Sequence, residues 1–107
     1  MILATTDTLP GREIVRTLGL VRGNSVRGAA ATKDVQAWLK NLVGGEIGEY
    51  TRLLAQSREQ ALDRLVAEAR AKGADAVVGL RFASSEISDG AAEILAYGTA
   101  VRLAPGS

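Results

Sequence analysis

Gly44-Gly45-Glu46-Ile47-Gly48-Glu49-Tyr50 opens the stretch that decides the fold, a periodic segment that runs on to Gly73-Ala74-Asp75. Apolar residues recur in this segment at about 100° of helical rotation, which predicts one long amphipathic helix from Ile47 to Lys72. The apolar stripe consists of Ile47, Tyr50, Leu54, Ala61, Leu65 and Ala69, with Leu62 at its edge. Gly73 follows the last helical residue, where a left-handed turn closes a helix and a Cβ would clash.

Arg58 departs from this pattern because it lies within about 40° of the centre of the apolar stripe. Two interpretations are open. In the first, the arginine stem packs on apolar surface while the guanidinium reaches water. In the second, Arg58 is a structural charge, buried or at an interface, that pairs with a carboxylate from elsewhere. We favour the first, because long cationic side chains commonly reach solvent in this way.

Extended segments flank the helix on both sides. They are predicted as four strands, at residues 1–6, 13–27, 76–82 and 92–103. The second strand is long, and we expect it to bend or bulge at Gly19 and Gly23. Ser88-Asp89-Gly90 predicts a hairpin turn between the last two strands. A short second helix is indicated by the spacing of Val35, Trp38, Leu39 and Leu42. The sequence thus predicts a two-layer α+β fold, an antiparallel sheet covered by one long and one short helix, in a single domain at 1–104 with a loose tail at 105–107.

The apolar residues of the last two strands outnumber those that two helices can cover. The third strand has one continuous apolar face, assigned to the core beneath the long helix: Ala76, Val78, Leu80 and Phe82. Val77 is then expected on the opposite face. The last strand is apolar on both faces, whereas antiparallel sheets usually expose one polar face. We therefore expect a second copy of the chain to cover the remaining surface, with candidate interface residues Val77, Leu95, Tyr97 and Val101.

Composition excludes several classes of function. Thirteen basic and twelve acidic residues leave a net charge of +1 in 107 residues, so no strong field attracts nucleic acid or an anionic membrane. The chain contains neither Cys nor His, which removes thiolate nucleophiles, thiolate metal sites and the commonest general base. No catalytic residues are predicted. No signal peptide or membrane span is visible, so a cytoplasmic protein is expected.

Several short motifs recur along the chain in the order and spacing of a known family. They are Thr5-Thr6, Gly11, Gly19, Gly44-Gly45, Tyr50, Arg58-Glu59-Gln60-Ala61, Gly73-Ala74-Asp75-Ala76-Val77-Val78-Gly79 and Ala96-Tyr97-Gly98-Thr99-Ala100-Val101. Taken together, they resemble the YbjQ-like family of small bacterial and archaeal proteins of uncharacterised function, from Ile2 to Val101. The resemblance implies an α+β fold similar to the dodecin subunit and a ring-shaped homopentamer. It also carries the family label "putative heavy-metal-binding".

The residues of this chain do not favour that label. Soft metals prefer thiolate and thioether ligands, and imidazole suits intermediate ones, but the chain offers only the thioether of Met1. The remaining donors are carboxylates, which suit hard cations: Asp34, Glu46, Glu49, Glu86, Asp89 and Glu93. None of them has the spacing of a known cation loop. We expect no cofactor. A hard cation held by five copies of one carboxylate on a ring axis stays open.

Gly44, Gly45 and Gly48 form a second candidate ligand site, since backbone N–H groups at a helix start can bind an anion. The loop lacks the Lys-Ser/Thr of a P-loop and follows a predicted helix rather than a strand, so we favour a joint between two helices. The leading functional prediction is a non-enzymatic homo-oligomer of unknown specific function. The alternative is binding of a metal ion or small anion at subunit junctions, through carboxylates or this loop. An enzyme is the least favoured class.

Overall fold

The computed structural model describes residues 1–27, 48–88 and 91–106. Its elements are β1 (Ile2–Leu3), β2 (Ile14–Arg27), α1 (Gly48–Ala71), β3 (Ala76–Ser88) and β4 (Ala91–Leu103). The predicted α+β architecture is confirmed, because α1 packs on a four-stranded sheet of order β1-β3-β4-β2. The predicted short helix and Asp89-Gly90 of the hairpin turn lie outside the described residues.

The predicted antiparallel hairpin of β3 and β4 is confirmed. β4 lies between β2 and β3 and is antiparallel to both. β1, however, runs parallel to β3, with Ile2 opposite Ala76. The sheet is therefore mixed rather than antiparallel throughout. Backbone hydrogen bonds continue this pairing beyond the two-residue strand, since the Ala4 N–H donates to the Val77 carbonyl at 2.9 Å.

The two glycines of β2 have different roles. The predicted irregularity at Gly19 is confirmed: its φ is +105°, and the register with β4 shifts between Thr17 and Gly19. The irregularity predicted at Gly23 is wrong, because β2 pairs without a shift around it. Gly23 lies beneath α1 instead, where a Cβ would come within 2.3 Å of the Ala61 carbonyl oxygen and the Leu65 nitrogen. The missing side chain lets helix and strand backbones approach closely.

The apolar stripe of α1 supplies one side of the core. Ala61, Leu65 and Ala69 are fully buried, as the periodicity predicts, and fully burying a side chain such as Leu65 stabilises the fold by roughly 1.5–3 kcal/mol. Their cluster is completed by residues of all three long strands: Val21, Val77, Leu80, Ala96 and Ala100. The buried Ser25 hydroxyl of β2 donates to the Gln60 side-chain oxygen at 2.7 Å, so this polar group has a partner under the helix.

The end of α1 follows its sequence signal. Gly73 has a φ of +77°. Its N–H donates to the Arg70 carbonyl at 2.9 Å, and the Ala74 N–H donates to the Ala69 carbonyl at 3.0 Å. This pair of bonds is the Schellman arrangement, which satisfies carbonyls that the helix itself leaves unpaired. The prediction that Gly73 closes the helix is confirmed.

The first three residues of β3 lie on the faces opposite to those predicted, whereas Leu80 is buried beneath α1 as predicted. Val77 is fully buried on the α1 side, whereas Ala76 and Val78 lie on the opposite face, in a second cluster. We call this opposite side the distal face. The simple alternation fails because the register shifts between Val78 and Arg81, around Gly79 with a φ of +62°.

This shift places Leu80 on the same side as Val77. The continuous face predicted from Ala76 to Phe82 is therefore divided between the two sides of the sheet. Phe82, expected in the core, is 45% exposed.

Candidate functional site

The N-terminal segment covers one half of the distal face. Four buried residues of β3 and β4 form the cluster there: Ala76, Val78, Val101 and Leu103. Leu9 and Ile14 pack against them. A turn in which the Arg12 N–H donates to the Leu9 carbonyl at 3.0 Å helps to position Leu9. Part of the second apolar surface is thus covered within the chain itself.

The other half of the distal face remains exposed. On β2, Val21, Gly23 and Ser25 are buried under α1, so the alternating residues of the strand point to the distal face. Cross-strand pairing then brings one set of side chains together, which we call the open patch: Leu20, Arg22, Asn24, Val26, Arg81, Ala83, Glu93, Leu95 and Tyr97. Leu20 is 57% exposed, Val26 47% and Tyr97 36%.

Polar groups of the open patch surround its apolar residues. Tyr97 lies between Arg22 on β2 and Arg81 on β3, each directly opposite it across a strand pair. The Arg81 guanidinium is held in place by two hydrogen bonds. Its Nη1 donates to the Thr5 carbonyl at 2.7 Å and to the carbonyl of the preceding residue, Leu80, at 2.8 Å. Tyrosine and arginine among aliphatic side chains are the residue types enriched in protein–protein interfaces.

A hydrogen bond joins two strands at the far end of the patch. The Asn24 side-chain amide donates to the Glu93 carboxylate at 3.0 Å. The Asn24 backbone carbonyl accepts from the Arg64 guanidinium of α1, which therefore reaches around the outer edge of β2. At this end of the patch β2 is thus tied both to β4 and to α1.

The candidate interface residues are separated by the structure. Leu95 and Tyr97 lie on the open patch, half-buried and 36% exposed respectively. Val77 is 0% exposed and Val101 1%, so these two present no surface to a neighbouring subunit. Sequence reasoning missed Leu20 and Val26. Their alternation with the residues buried under α1 would have identified them, had the role of Gly23 been known.

Arg58 is exposed on α1. It lines a groove of about 440 Å³ near the β3–β4 hairpin, together with apolar residues that include Leu54, Phe82 and Ile94. Among the residues that the structure describes, none forms an ion pair with it. This environment agrees with the interpretation in which the guanidinium reaches water.

The other sequence-derived candidates are not assembled into a site. Gly44 and Gly45 lie outside the described residues, and Gly48 is the first residue of α1. Asp34, Glu46 and Asp89 are also outside, whereas Glu49 and Glu86 lie on α1 and β3. Within residues 1–27, 48–88 and 91–106, no three carboxylates are grouped so as to hold a metal ion. The described helix is not long and apolar enough to cross a membrane.

Comparison with known sequences gives matches over nearly the whole chain. The sequence model of the YbjQ family, described as "Putative heavy-metal-binding", matches residues 1–104. A UPF0145 protein of Fervidobacterium nodosum is 57% identical over 103 residues, covering 96% of this chain and 95% of that protein. One from Archaeoglobus fulgidus is 55% identical with the same coverage. One from Shewanella frigidimarina is 52% identical over 105 residues, covering 98% of both.

A solved structure shares the fold. It is the crystal structure of a protein of unknown function from Pediococcus pentosaceus that belongs to the DUF74 family. Its TM-score is 0.65 at 16% sequence identity, with 97% of this chain and 98% of that chain covered. The likeness extends over both layers of the fold, the sheet and the helix.

The family description does not fit the donor groups of this chain. A heavy-metal site needs soft sulfur or imidazole ligands, and the 107 residues contain neither Cys nor His. The single thioether, at Met1, belongs to a residue that is 40% exposed. No set of soft ligands can therefore converge within one copy of this chain.

Proposed function

Because this chain belongs to the YbjQ family, we propose that it works as a non-enzymatic homo-oligomer whose subunits meet through the open patch. The subunit number, five in a closed ring, is the one implied by the family resemblance. In this proposal the side chains of the assembly perform no chemistry of their own. The lack of Cys and His in the sequence supports this view.

The observation that carries the proposal is the exposure of the open patch. Leu20 and Val26 are about half exposed, beside Leu95 and Tyr97 on the same sheet face. Monomeric soluble proteins rarely expose contiguous apolar patches of more than a few hundred Å². Removing a Val or Leu side chain completely from water stabilises by roughly 1.5–3 kcal/mol. Partial burial of several such side chains at one contact gives a substantial driving force.

The arrangement of the patch favours a repeated contact. The open patch occupies one side of the subunit, while α1 occupies the other. A head-to-tail contact that repeats around a closed ring covers the patch of every copy. Arg22 and Arg81, on either side of Tyr97, then select the orientation of the neighbour more than they add to affinity.

The test compares two variants with the same chemical change. Val26→Asp places a charge in the open patch, whereas Val15→Asp places one at another valine of similar exposure, 56% against 47%. Gel filtration with light scattering should show the wild type and Val15→Asp assembled, and Val26→Asp reduced in mass. Circular dichroism should be the same for all three. A monomeric wild type would overturn the proposal, and a fully assembled Val26→Asp would exclude the open patch as the contact.

A further inference from the structure

Three arginines lie near the end of the sheet where α1 finishes, two of them lining one groove and the third, Arg16, beside it on β2. The register of β2 and β4 places Arg16 directly opposite Arg102. Arg102 and Arg12 line one groove of about 590 Å³, together with Ile2, Val15, Asp75 and residues 103–106. Nη1 of Arg102 donates to the Gly73 carbonyl at 3.0 Å, which fixes the position of this group beside the last turn of α1. We call Arg12, Arg16 and Arg102 the arginine corner.

Positive charge exceeds negative charge at this corner. Among the described residues, Asp75 is the one carboxylate that lines the groove. It accepts the Leu103 N–H at 2.9 Å and pairs with Nε of Arg102 at 3.3 Å. Of the residues that the structure describes, none forms an ion pair with Arg12 or Arg16. Two guanidiniums are thus left without a carboxylate.

The pairing of Arg16 with Arg102 is unfavourable by itself. Like charges directly opposite each other on antiparallel strands destabilise the pair. An oxyanion bound between the two guanidiniums would attract both of them and so offset this repulsion. Guanidinium groups also have the planar, forked donor geometry that matches phosphate oxygens in paired hydrogen bonds.

We propose that the arginine corner binds the phosphate group of a small molecule. The size of the groove lies within the range of about 300–1,000 Å³ that small-molecule sites occupy. A nucleic-acid polymer is less favoured, because it requires a long basic surface and the chain carries a net charge of only +1. This inference is independent of the proposed oligomer, since the corner and the open patch share no residue.

Inorganic phosphate is the probe for the first test. It is titrated into the full chain in chloride buffer, and the side-chain Nε–Hε signals of the arginines are followed by NMR. We expect saturable shifts at Arg12, Arg16 and Arg102 and none at Arg58, which lines a different groove. Shifts that grow linearly without saturation, or that are equal at Arg58, would overturn the proposal.

A matched pair of variants tests the role of the corner itself. Arg16→Gln should weaken phosphate binding about tenfold or more, since a hydrogen bond to a charged group is lost, whereas Arg58→Gln should leave it unchanged. Without phosphate, Arg16→Gln should melt at the same temperature as the wild type or higher, because a repulsion is removed. Equal phosphate affinity in both variants would contradict the assignment.

The second titration distinguishes the source of the phosphate. A nucleoside monophosphate should compete with inorganic phosphate for the same arginine signals. A single-stranded oligonucleotide should bind no more tightly than the monophosphate at equal ionic strength. Stronger oligonucleotide binding with a steep salt dependence would overturn the small-molecule assignment.

Discussion

Replacing Gly23 by alanine tests how the helix is held on the sheet. The new Cβ would lie 2.3 Å from the Ala61 oxygen and the Leu65 nitrogen and 2.8 Å from the Arg64 carbonyl carbon, all of them backbone atoms. Ordinary contact begins at 3.4 Å, so helix and strand must separate by about 1 Å (3.4 minus 2.3). A gap of this size forfeits a quarter to a half of the dispersion attraction at each separated contact.

The expected loss of stability follows from two opposing effects. Overpacking of this kind costs roughly 1–3 kcal/mol, occasionally more, and here no flexible side chain can move aside. Alanine recovers about 0.5–1 kcal/mol relative to glycine within a strand. Because the blocking atoms are all backbone, we take the upper end of the overpacking cost, about 3 kcal/mol. Less the gain from alanine, Gly23→Ala should lower the free energy of unfolding by about 2 kcal/mol, which corresponds to a fall in Tm on the order of 10 °C.

Chemical denaturation at a fixed protomer concentration measures this change, with Gly19→Ala as the control. A Cβ at Gly19 meets nothing within 4 Å, so that variant is destabilised only by its positive φ, by roughly 1–2 kcal/mol. Amide exchange near Ala61 and Leu65 should accelerate in Gly23→Ala and not in Gly19→Ala. A Gly23→Ala protein as stable as the wild type would refute the close contact.

Three further outcomes are expected. Asp75→Ala should lower the free energy of unfolding by about 1–3 kcal/mol, because the Leu103 N–H loses its acceptor and Arg102 loses its ion pair. Denaturant titration measures this change, and an unchanged free energy would contradict the prediction. Arg58→Ala should cost no more than about 1 kcal/mol, mainly through lost stem packing, and a melting shift far larger than that of Arg52→Ala would disprove solvent exposure of the guanidinium. Chelation should leave the circular dichroism and the oligomeric mass unchanged, since no thiolate or imidazole site can exist, and loss of the helical signal on chelation would refute this. Zn²⁺ should bind no more tightly than to nonspecific carboxylate sites, and a stoichiometric submicromolar site in calorimetry would contradict that expectation.

Local signals in the sequence were sufficient to predict the long helix and the residue at which it ends. The apolar stripe predicted the buried residues Ala61, Leu65 and Ala69, because helical periodicity depends on neighbours within the same element. Gly73 predicted the end of the helix for a similar reason, since the turn that closes a helix needs a left-handed φ at one residue and does not depend on distant contacts. The β3–β4 hairpin was equally visible from two apolar runs and a short polar turn.

The faces of the strands depended on tertiary structure and could not be predicted in the same way. One irregularity around Gly79 places Leu80 on the same side of the sheet as Val77 and opposite to Val78, because each added residue reverses the face of all that follow. A glycine within a strand indicates either a bulge or a close backbone approach. Which of these applies at Gly23 depends on where α1 crosses β2. For this reason Leu20 and Val26 were not identified as surface residues of the open patch.

The mass of the native particle tests the central claim most directly. Native mass spectrometry of the untagged wild type gives the number of 11.2 kDa subunits and any retained small molecule in one spectrum. The proposal predicts one discrete homo-oligomer, five subunits according to the family resemblance, that persists on dilution into the micromolar range. A spectrum containing only the single chain at the same concentrations would contradict it.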